Sequence, residues 1–458
     1  MNSVFTFKRF VCRRLDAKRR AALYVALLGS MLGAAALAAA QSTPPFAELK
    51  PDYFVDETKL PFDALPGTCT QRYWGLQAQG AAYQMEVPCD WDGRLVLWVH
   101  GSQNSAEPQN ELTIVPVVPV LRQYYVTHGV AWAASSFAKN LYDIKAGAQA
   151  THQLGELFKG MIGEPTRVYL VGISMGSHII AVMLEQWPTK YSGAAMGCGV
   201  LGDYEAFDYH LDINLVAQAL AGVQAQFPEP DNYHTEIVPF VKSVLWSSFP
   251  QVVTPAGAQL EAVVQQLSGG TRPFFGSAFR FWADFFFTRG YGDGTRHVAV
   301  ANAMDNVETV YQMDGDPDLT PAEKALNDLV LRVGSTPQGR KNNGLANVPP
   351  IAGSISVPVL IINGIGDLQV PFSMAQIYVR RVAEHGKSDL LVSRAIRSIP
   401  HCGINPAESL ETWLALEKWV EQGTRPEGDD ILDPVAVADP KFGCKFTRAT
   451  RAGIPSCQ

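Results

Sequence analysis

The stretch Arg167-Val-Tyr-Leu-Val-Gly-Ile-Ser-Met-Gly176 decides the fold of this chain. Its first five residues form an apolar run typical of a buried strand, and residues 175–187 have the composition of a helix. A serine between two glycines at such a strand-to-helix turn is held in a strained conformation that exposes its hydroxyl. This context makes Ser174 a candidate nucleophile, whereas G-x-S-x-G alone is a weak signal in a glycine-rich chain.

Apolar runs alternate with helical segments on both sides of this motif. The runs that read as buried strands are 94–100, 129–135, 191–200, 357–363 and 389–399, and helical spacing occurs at 143–160, 372–385 and 406–422. Strands that alternate with helices indicate parallel pairing, because parallel neighbours need a crossover. We therefore expect an α/β fold, a mostly parallel sheet with helices on both faces.

The alternation stops near Gly202 and resumes at Val357. The residues between have helical periodicity at 212–223, 256–267 and 321–333, which predicts a large, mainly helical lid insertion. The predicted organisation is a signal peptide at 1–40, the first part of the catalytic core at 41–202, the insertion at 203–350, the second part of the core at 351–422 and a C-terminal tail at 423–458.

The insertion contains a dense aromatic stretch at 272–287. Such residues most often form the core of their own segment. The alternative is that they line an apolar substrate cleft. The candidate substrate-contacting residues are Phe274, Phe275, Phe279 and Trp282.

A serine hydroxyl needs a general base, and the base needs an acid that orients it. In this topology the acid follows a late strand and the histidine follows the last strand. Asp367 comes just after the run 357–363, and His401 comes just after the run 389–399. One alternative stays open for the acid. In it Asp367 is only a helix N-cap, and Asp203 orients the histidine in its place.

Gly-Ile-Ser-Met-Gly, the Gly-x-x-Asp-x-x-Val-Pro segment at 364–371 and the late His-Cys-Gly at 401–403 resemble the α/β-hydrolase superfamily. The resemblance covers residues 94–202 and 355–422. It implies a Ser-Asp-His triad, with oxyanion-hole donors from backbone N–H groups of Ser102 or Gln103 and of Met175. His100 is expected to hold the oxyanion loop.

Six cysteines remain after Cys12 in the signal peptide is set aside, and six allow fifteen pairings. Short loops favour Cys69–Cys89 and Cys444–Cys457, which leaves Cys198–Cys402. A bond beside the histidine is similar to that of the secreted tannase and feruloyl esterase group, in which a cysteine beside the serine bonds one beside the histidine. Ile173 occupies the position before the serine here, so the similarity is partial.

The amino terminus has the pattern of a signal peptide. Residues 1–40 contain seven of the 37 Lys and Arg residues and one of the 44 Asp and Glu residues. All of these charges precede residue 21, and the run 21–40 is uncharged and ends in alanines. Cleavage is expected near Gln41, and a retained membrane anchor is the less consistent alternative. The mature chain would carry 30 basic and 43 acidic residues. This balance disfavours nucleic acid as a partner.

We therefore expect a secreted or periplasmic serine esterase that acts on a small-molecule or polymer ester and needs no metal or cofactor. A peptidase or a lactonase would use the same three residues, and a binding protein could keep the fold without the chemistry. The sequence does not specify the substrate or the oligomeric state.

Overall fold

The computed structural model describes residues 52–103, 110–295, 299–341 and 345–457. The predicted signal peptide and its cleavage point lie outside these ranges. Within them, none of the helices has the length and apolarity that a membrane span requires.

Eight strands of the described residues form one sheet in the order β1-β2-β4-β3-β5-β6-β7-β8. β2 runs antiparallel to β1 and β4, and the other neighbours are parallel. This order, with helical crossovers between parallel strands, is the α/β-hydrolase fold, which confirms the predicted fold class. The strands are β1 (Thr70–Leu76), β2 (Ala82–Pro88), β3 (Arg94–Val99), β4 (Ala131–Ser135), β5 (Arg167–Ile173), β6 (Gly193–Gly197), β7 (Val359–Gly364) and β8 (Leu391–Ile396).

The sheet begins earlier than the sequence pattern predicts, because neither β1 nor β2 is a continuous apolar run. β2 buries two polar side chains that find partners inside the protein. Gln84 donates to the carbonyl of Leu60 at 2.7 Å, and Glu86 accepts from Trp132 at 2.9 Å and from Arg122 at 2.7 Å. Hydrogen bonding offsets the cost of burying these groups, so the strand lacks the apolar signal.

Two sets of helices cover the sheet. The α-helices in the described ranges are α1 (Pro119–Thr127), α2 (Ile144–Met161), α3 (Met175–Gln186), α4 (Glu205–Leu220), α5 (Val238–Leu245), α6 (Pro255–Leu267), α7 (Phe275–Arg289), α8 (Pro321–Leu329), α9 (Ser373–Glu384), α10 (Pro406–Gln422) and α11 (Pro434–Ala438). On one face of the sheet, Leu97 belongs to a hydrophobic cluster that includes residues of α2, α3 and α9. On the other face, Trp98 belongs to a cluster with residues of α1 and α10. Successive residues of a strand point to opposite faces, so one strand contributes to both cores.

The predicted insertion, 203–350, falls between β6 and β7. It contains α4 to α8 and a short antiparallel hairpin, Trp246–Ser248 with Val252–Val253. Its helices share a separate hydrophobic cluster, which also takes in Leu368 and Ile399 from the loops after β7 and β8. The insertion therefore packs against the two loops that carry Asp367 and His401.

The described residues include three disulfides, Cys69–Cys89, Cys198–Cys402 and Cys444–Cys457. These are the pairs that the sequence favours. The first joins the residues that flank the β1–β2 hairpin, and the third closes the C-terminal tail. The second joins the end of β6 to the loop after β8, across 204 residues of sequence.

The turn from β5 to α3, which contains Ser174, lies very close to the end of β3. A Cβ atom built on Gly172 would lie 2.4 Å from the carbonyl oxygen of Val99, and one built on Gly176 would lie 2.0 Å from the same oxygen. Backbone atoms cannot move aside as flexible side chains can. Glycine is therefore required on both sides of Ser174.

We predict that Gly176→Ala destabilises the protein by more than about 2 kcal/mol, because the added methyl overlaps backbone oxygen. Gly160→Ala is the control. It lies in α2, where an added Cβ meets nothing within 4 Å, and it should stabilise by about 0.5–1 kcal/mol. Urea denaturation of both variants measures the difference. Equal stability changes would contradict the packing argument.

Candidate active site

Ser174 occupies the turn between β5 and α3. Its φ of 55° and ψ of −124° are unusual for a residue with a side chain, and such a conformation costs about 1–3 kcal/mol. The Ser174 N–H donates to the carbonyl of Gly197 on β6 at 2.9 Å, and α3 begins at the next residue. The sheet and the helix together hold the serine in this conformation.

His401 links Ser174 to Asp367. Its Nε2 lies 2.8 Å from the Ser174 Oγ, and its Nδ1 lies 2.6 Å from the Asp367 Oδ2. A carboxylate only accepts hydrogen bonds, so the neutral imidazole carries its proton on Nδ1 and accepts the serine proton at Nε2. The three residues predicted from the sequence thus form one continuous hydrogen-bonded chain.

The Asp367 carboxylate is fixed by its own loop. Its Oδ1 accepts from the N–H groups of Gln369 at 3.0 Å and Val370 at 3.1 Å, and the residue is 2% exposed. These bonds shape the turn, while α9 begins later, at Ser373. Asp367 is therefore not the N-cap of that helix. Its other oxygen remains available to the imidazole.

Asp203, the alternative acid, has other partners. Its Oδ2 accepts from the Arg381 Nη1 at 2.6 Å and from the N–H of Ile351 at 2.8 Å. This buried ion pair joins the start of the insertion to α9 and to the segment that returns to the sheet. The geometry favours Asp367 as the partner of His401.

The loop after β3 lies beside Ser174. A Cβ atom on Gly101 would lie 3.1 Å from the Ser174 Cβ. The Ser102 hydroxyl donates to the carbonyl of Leu141 at 3.1 Å, and the N–H of Leu141 donates to the carbonyl of Gln103 at 2.9 Å. The loop is thus fixed next to the serine. Met175 contributes a first-turn N–H of α3, which has no acceptor within its helix.

His100 is buried beneath this loop. Its ring stacks on Phe137 with the centroids 3.8 Å apart, and its Nδ1 lies 2.6 Å from the carbonyl oxygen of Gly101. Burial lowers the pKa of His100 to about 4, so the ring is neutral at pH 7. A neutral ring that donates to Gly101 supports the loop, in agreement with the structural role expected for it.

A cavity of about 500 Å³ opens in front of Ser174. Its walls come from the loop after β3, the residues before α2, the insertion and the loop after β7. Polar and charged groups contribute to this wall, including those of Ser102, Tyr142, His210 and Arg289. Of these, Ser102 was expected at the site, whereas sequence reasoning missed Tyr142, His210 and Arg289 because nothing in the local pattern places them at one surface.

None of the four predicted substrate-contacting aromatic residues is among the described residues that line this cavity. Phe275, Phe279 and Trp282 are buried in the core of the insertion, and Phe274 packs between that core and the core of the sheet. An amphipathic helix buries its most apolar face, and α7 does so here. The aromatic stretch forms a core, not a cleft.

Trp282 nevertheless contacts both loops of the site. Its indole Nε1 lies 3.1 Å from the carbonyl oxygen of Gly366 and 3.1 Å from that of Ile399. These carbonyls lie one residue before Asp367 and two before His401. A single indole N–H therefore bridges the two loops that hold the acid and the base.

The Cys198–Cys402 disulfide lies directly beside the imidazole, with the Cys402 Sγ 3.5 Å from the His401 Nε2. Both cysteines have a positive φ, 45° and 54°. These two cysteines and His401 also bring three potential metal ligands within 4.8 Å of one another. The sulfurs are bonded to each other, so this cluster lacks the thiolates that would hold a metal.

No protein-family model matches the chain. A segment of 89 residues is 32% identical to o-phthalyl amidase from Xanthobacter agilis and covers 19% of this chain and 20% of that protein. The chain thus spans about a fifth of the length of this curated relative.

Similar solved structures include three hydrolases. Feruloyl esterase B from Aspergillus oryzae has a TM-score of 0.42 at 13% identity, covering 80% of this chain and 84% of that chain. Tannin acyl hydrolase from Aspergillus niger has a TM-score of 0.42 at 13% identity, covering 78% and 79%. Closed Candida antarctica lipase A has a TM-score of 0.38 at 13% identity, covering 78% and 78%. The fold assignment depends on the strand order of this chain, not on these likenesses.

We predict that Cys402→Ser and Cys198→Ser each lower turnover by up to about a hundredfold, because the loop of His401 loses its tether and about 1 Å of misplacement has that effect. Closing a loop of 204 residues also stabilises the fold by about 5 kcal/mol in the chain-entropy estimate, so the melting temperature should fall. The double variant should be no worse than either single variant.

The control for the disulfide is Cys69→Ser with Cys89→Ser, which opens a bond at the β1–β2 hairpin across 20 residues. It should lower the melting temperature and leave turnover unchanged at a temperature where both proteins are folded. Unchanged kinetics in both single variants of the Cys198–Cys402 pair would refute a role of that bond in positioning His401.

We predict that Trp282→Phe lowers kcat about tenfold and stability by about 1–3 kcal/mol, because two buried carbonyls lose their shared donor. Trp246→Phe is a matched control in the same core. The Trp246 indole nitrogen is buried without a partner among the described residues, so losing it costs no hydrogen bond. Steady-state kinetics measure kcat of both variants. If the two substitutions change kcat equally, the role of the Trp282 indole in bridging the two loops is contradicted.

Proposed function

We propose that this protein is a serine hydrolase that cleaves carboxylic esters through an acyl-enzyme. The observation that carries the proposal is the hydrogen-bonded chain from Asp367 through His401 to Ser174 at the edge of an open cavity. Structural histidine–carboxylate pairs occur in many proteins. A serine in an elbow conformation that completes the chain and faces a cavity is the arrangement that nucleophilic catalysis requires.

In this mechanism the Ser174 Oγ attacks the ester carbonyl while the His401 Nε2 accepts its proton. The oxyanion that forms is held by the N–H of Met175 and by an N–H of the Ser102–Gln103 loop. The imidazolium, stabilised by Asp367, then protonates the alcohol as the C–O bond breaks. Water, deprotonated by the His401 Nε2, attacks the acyl-enzyme carbonyl. The imidazolium returns this proton to the Ser174 Oγ as the bond between Oγ and the acyl carbon breaks, and the acid product leaves.

Amide hydrolysis is the second candidate. The matching segment covers 20% of a relative that is named an amidase. A peptidase or a lactonase would use the same three residues. An ester is the better first substrate to test, because an alcohol is a better leaving group than an amine.

We also propose that the protein acts outside the cytoplasm. Three disulfides are typical of an oxidising compartment.

We predict that Ser174→Ala abolishes both fluorophosphonate labelling and ester hydrolysis, since loss of a triad serine lowers kcat roughly a millionfold. Its melting temperature should stay close to that of wild type. The control is Ser192→Ala at the opposite end of β6, where the hydroxyl accepts from the N–H of Val168 at 3.3 Å. That variant should label and turn over normally.

Matched 4-nitrophenyl esters, 4-nitroanilides and lactones then rank the three reaction classes by kcat/KM. Labelling of the wild type that persists in Ser174→Ala would remove this serine from the mechanism. Faster turnover of the anilide than of the ester would favour the amidase candidate.

A further inference from the structure

The cavity in front of Ser174 contains a cation that the triad does not use. Arg289, the last residue of α7, lines the same cavity as Ser174. Its side chain is solvent-accessible because it faces this space. The surrounding protein desolvates the guanidinium and so lowers its pKa, but an arginine stays charged at pH 7 even so.

Tyr142 lines the same cavity as Arg289 and Ser174. The guanidinium of Arg289 lowers the pKa of Tyr142, which burial and Asp203 otherwise raise, so the two side chains interact electrostatically. Tyr142 directly follows Leu141, whose backbone bonds to Ser102 and Gln103. Arg289, Tyr142 and Ser174 thus belong to one cavity, in which a substrate bound at Ser174 would lie.

The tyrosine is itself fixed. Its hydroxyl lies 2.8 Å from the Nδ1 of His178, whose Nε2 lies 2.8 Å from the carbonyl oxygen of Pro349. Burial lowers the pKa of His178 to about 4, so this histidine is neutral. A carbonyl can only accept, so Nε2 carries the proton and the Tyr142 hydroxyl donates to Nδ1. This bond fixes the orientation of the Tyr142 ring.

Two carboxylates also border the cavity, and each has donors of its own. The Oε2 of Glu229 accepts from the N–H groups of Tyr291 at 2.6 Å and Gly292 at 3.0 Å, and its Oε1 lies 3.0 Å from the Nε2 of His234. The Oδ1 of Asp293 accepts from the N–H and hydroxyl of Thr295 at 2.9 and 2.6 Å. Both carboxylates stabilise the chain that follows α7.

We infer that Arg289 binds a carboxylate of the substrate, so that the preferred substrates are esters that carry a free carboxylate besides the ester group. This inference rests on the proposed function and names its substrate class. A guanidinium binds a carboxylate through two parallel hydrogen bonds, which are stronger than hydrogen bonds between neutral groups. A volume of about 500 Å³ accommodates a ligand with both groups.

The test compares substrates that differ only in charge. One pair is 4-nitrophenyl hydrogen glutarate and its methyl-capped diester, with the carboxylate on the acyl side. The other is the butyrate ester of 4-hydroxybenzoic acid and that of methyl 4-hydroxybenzoate, with the carboxylate on the alcohol side. We expect wild type to prefer the anion at least tenfold in kcat/KM in one pair. The pair that shows it locates the carboxylate.

Arg289→Met should lower that preference about 10- to 100-fold, the range for a hydrogen bond to a charged group. Arg289→Lys should restore part of it, because lysine keeps the charge but not the two-donor geometry. Arg280→Met is the matched control. It removes the same charge from α7, nine positions earlier and half a turn around the helix, and Arg280 does not line the cavity. Its anion preference should equal that of wild type.

A preference that is absent from wild type in both pairs, or that Arg289→Met and Arg280→Met change equally, would overturn the inference. Calorimetry separates this failure from failure of the proposed function. In Ser174→Ala, either N-phenylglutaramate or 4-butyramidobenzoate, which carry the carboxylate on the acyl and the alcohol side, should bind at least tenfold more tightly than its own methyl ester, and Arg289→Met should remove the difference. If binding follows this pattern while no ester is cleaved and Ser174 is not labelled, the anion site stands and the esterase proposal fails. Equal binding within both pairs overturns the anion site.

Discussion

The close approach of the Ser174 turn to the end of β3 is the constraint on which the site depends. Gly172 and Gly176 meet the carbonyl of Val99 at distances that leave no room for a Cβ atom, and Gly101 lies against the serine itself. An unfavourable backbone conformation persists only where its surroundings define it completely. Here the strand before the turn, the helix after it and the bond to Gly197 do so. The hydroxyl and the loop after β3 are therefore positioned by one packing arrangement.

His401 depends on a different set of contacts, because its loop is not part of the sheet. The disulfide holds the loop at Cys402, and Trp282 holds it at Ile399. On its far side α10 begins with a capping box, in which Asn405 and Glu408 exchange hydrogen bonds. Covalent, side-chain and helix-capping restraints thus act on a few consecutive residues. The insertion shares in this task, because its core includes Trp282 and contacts both loops.

The sequence predicted the parts of this structure that follow from local pattern. The strand-to-helix turn at Ser174, the helix at 406–422 and the three cysteine pairs agree with the structure, which also brings Ser174, Asp367 and His401 into one hydrogen-bonded chain. Other features depend on distant partners. The polar residues of β2 are strand residues because Leu60, Arg122 and Trp132 satisfy them. The aromatic residues of α7 are core residues because α4 and α6 pack against this helix, and periodicity alone cannot identify those neighbours.

The position of Arg289 illustrates why a specificity residue can escape sequence analysis. A cation in the last turn of a helix is common, because it interacts favourably with the carbonyl end of the helix dipole. In the sequence, Arg289 reads as an ordinary helix terminus. The same dipole favours the protonated guanidinium. It therefore acts against desolvation in the cavity, which lowers the pKa of Arg289. A helix end is thus a favourable place to keep a charged arginine beside a substrate. The feature that makes the residue unremarkable in the sequence thus also helps to keep it charged in the folded protein.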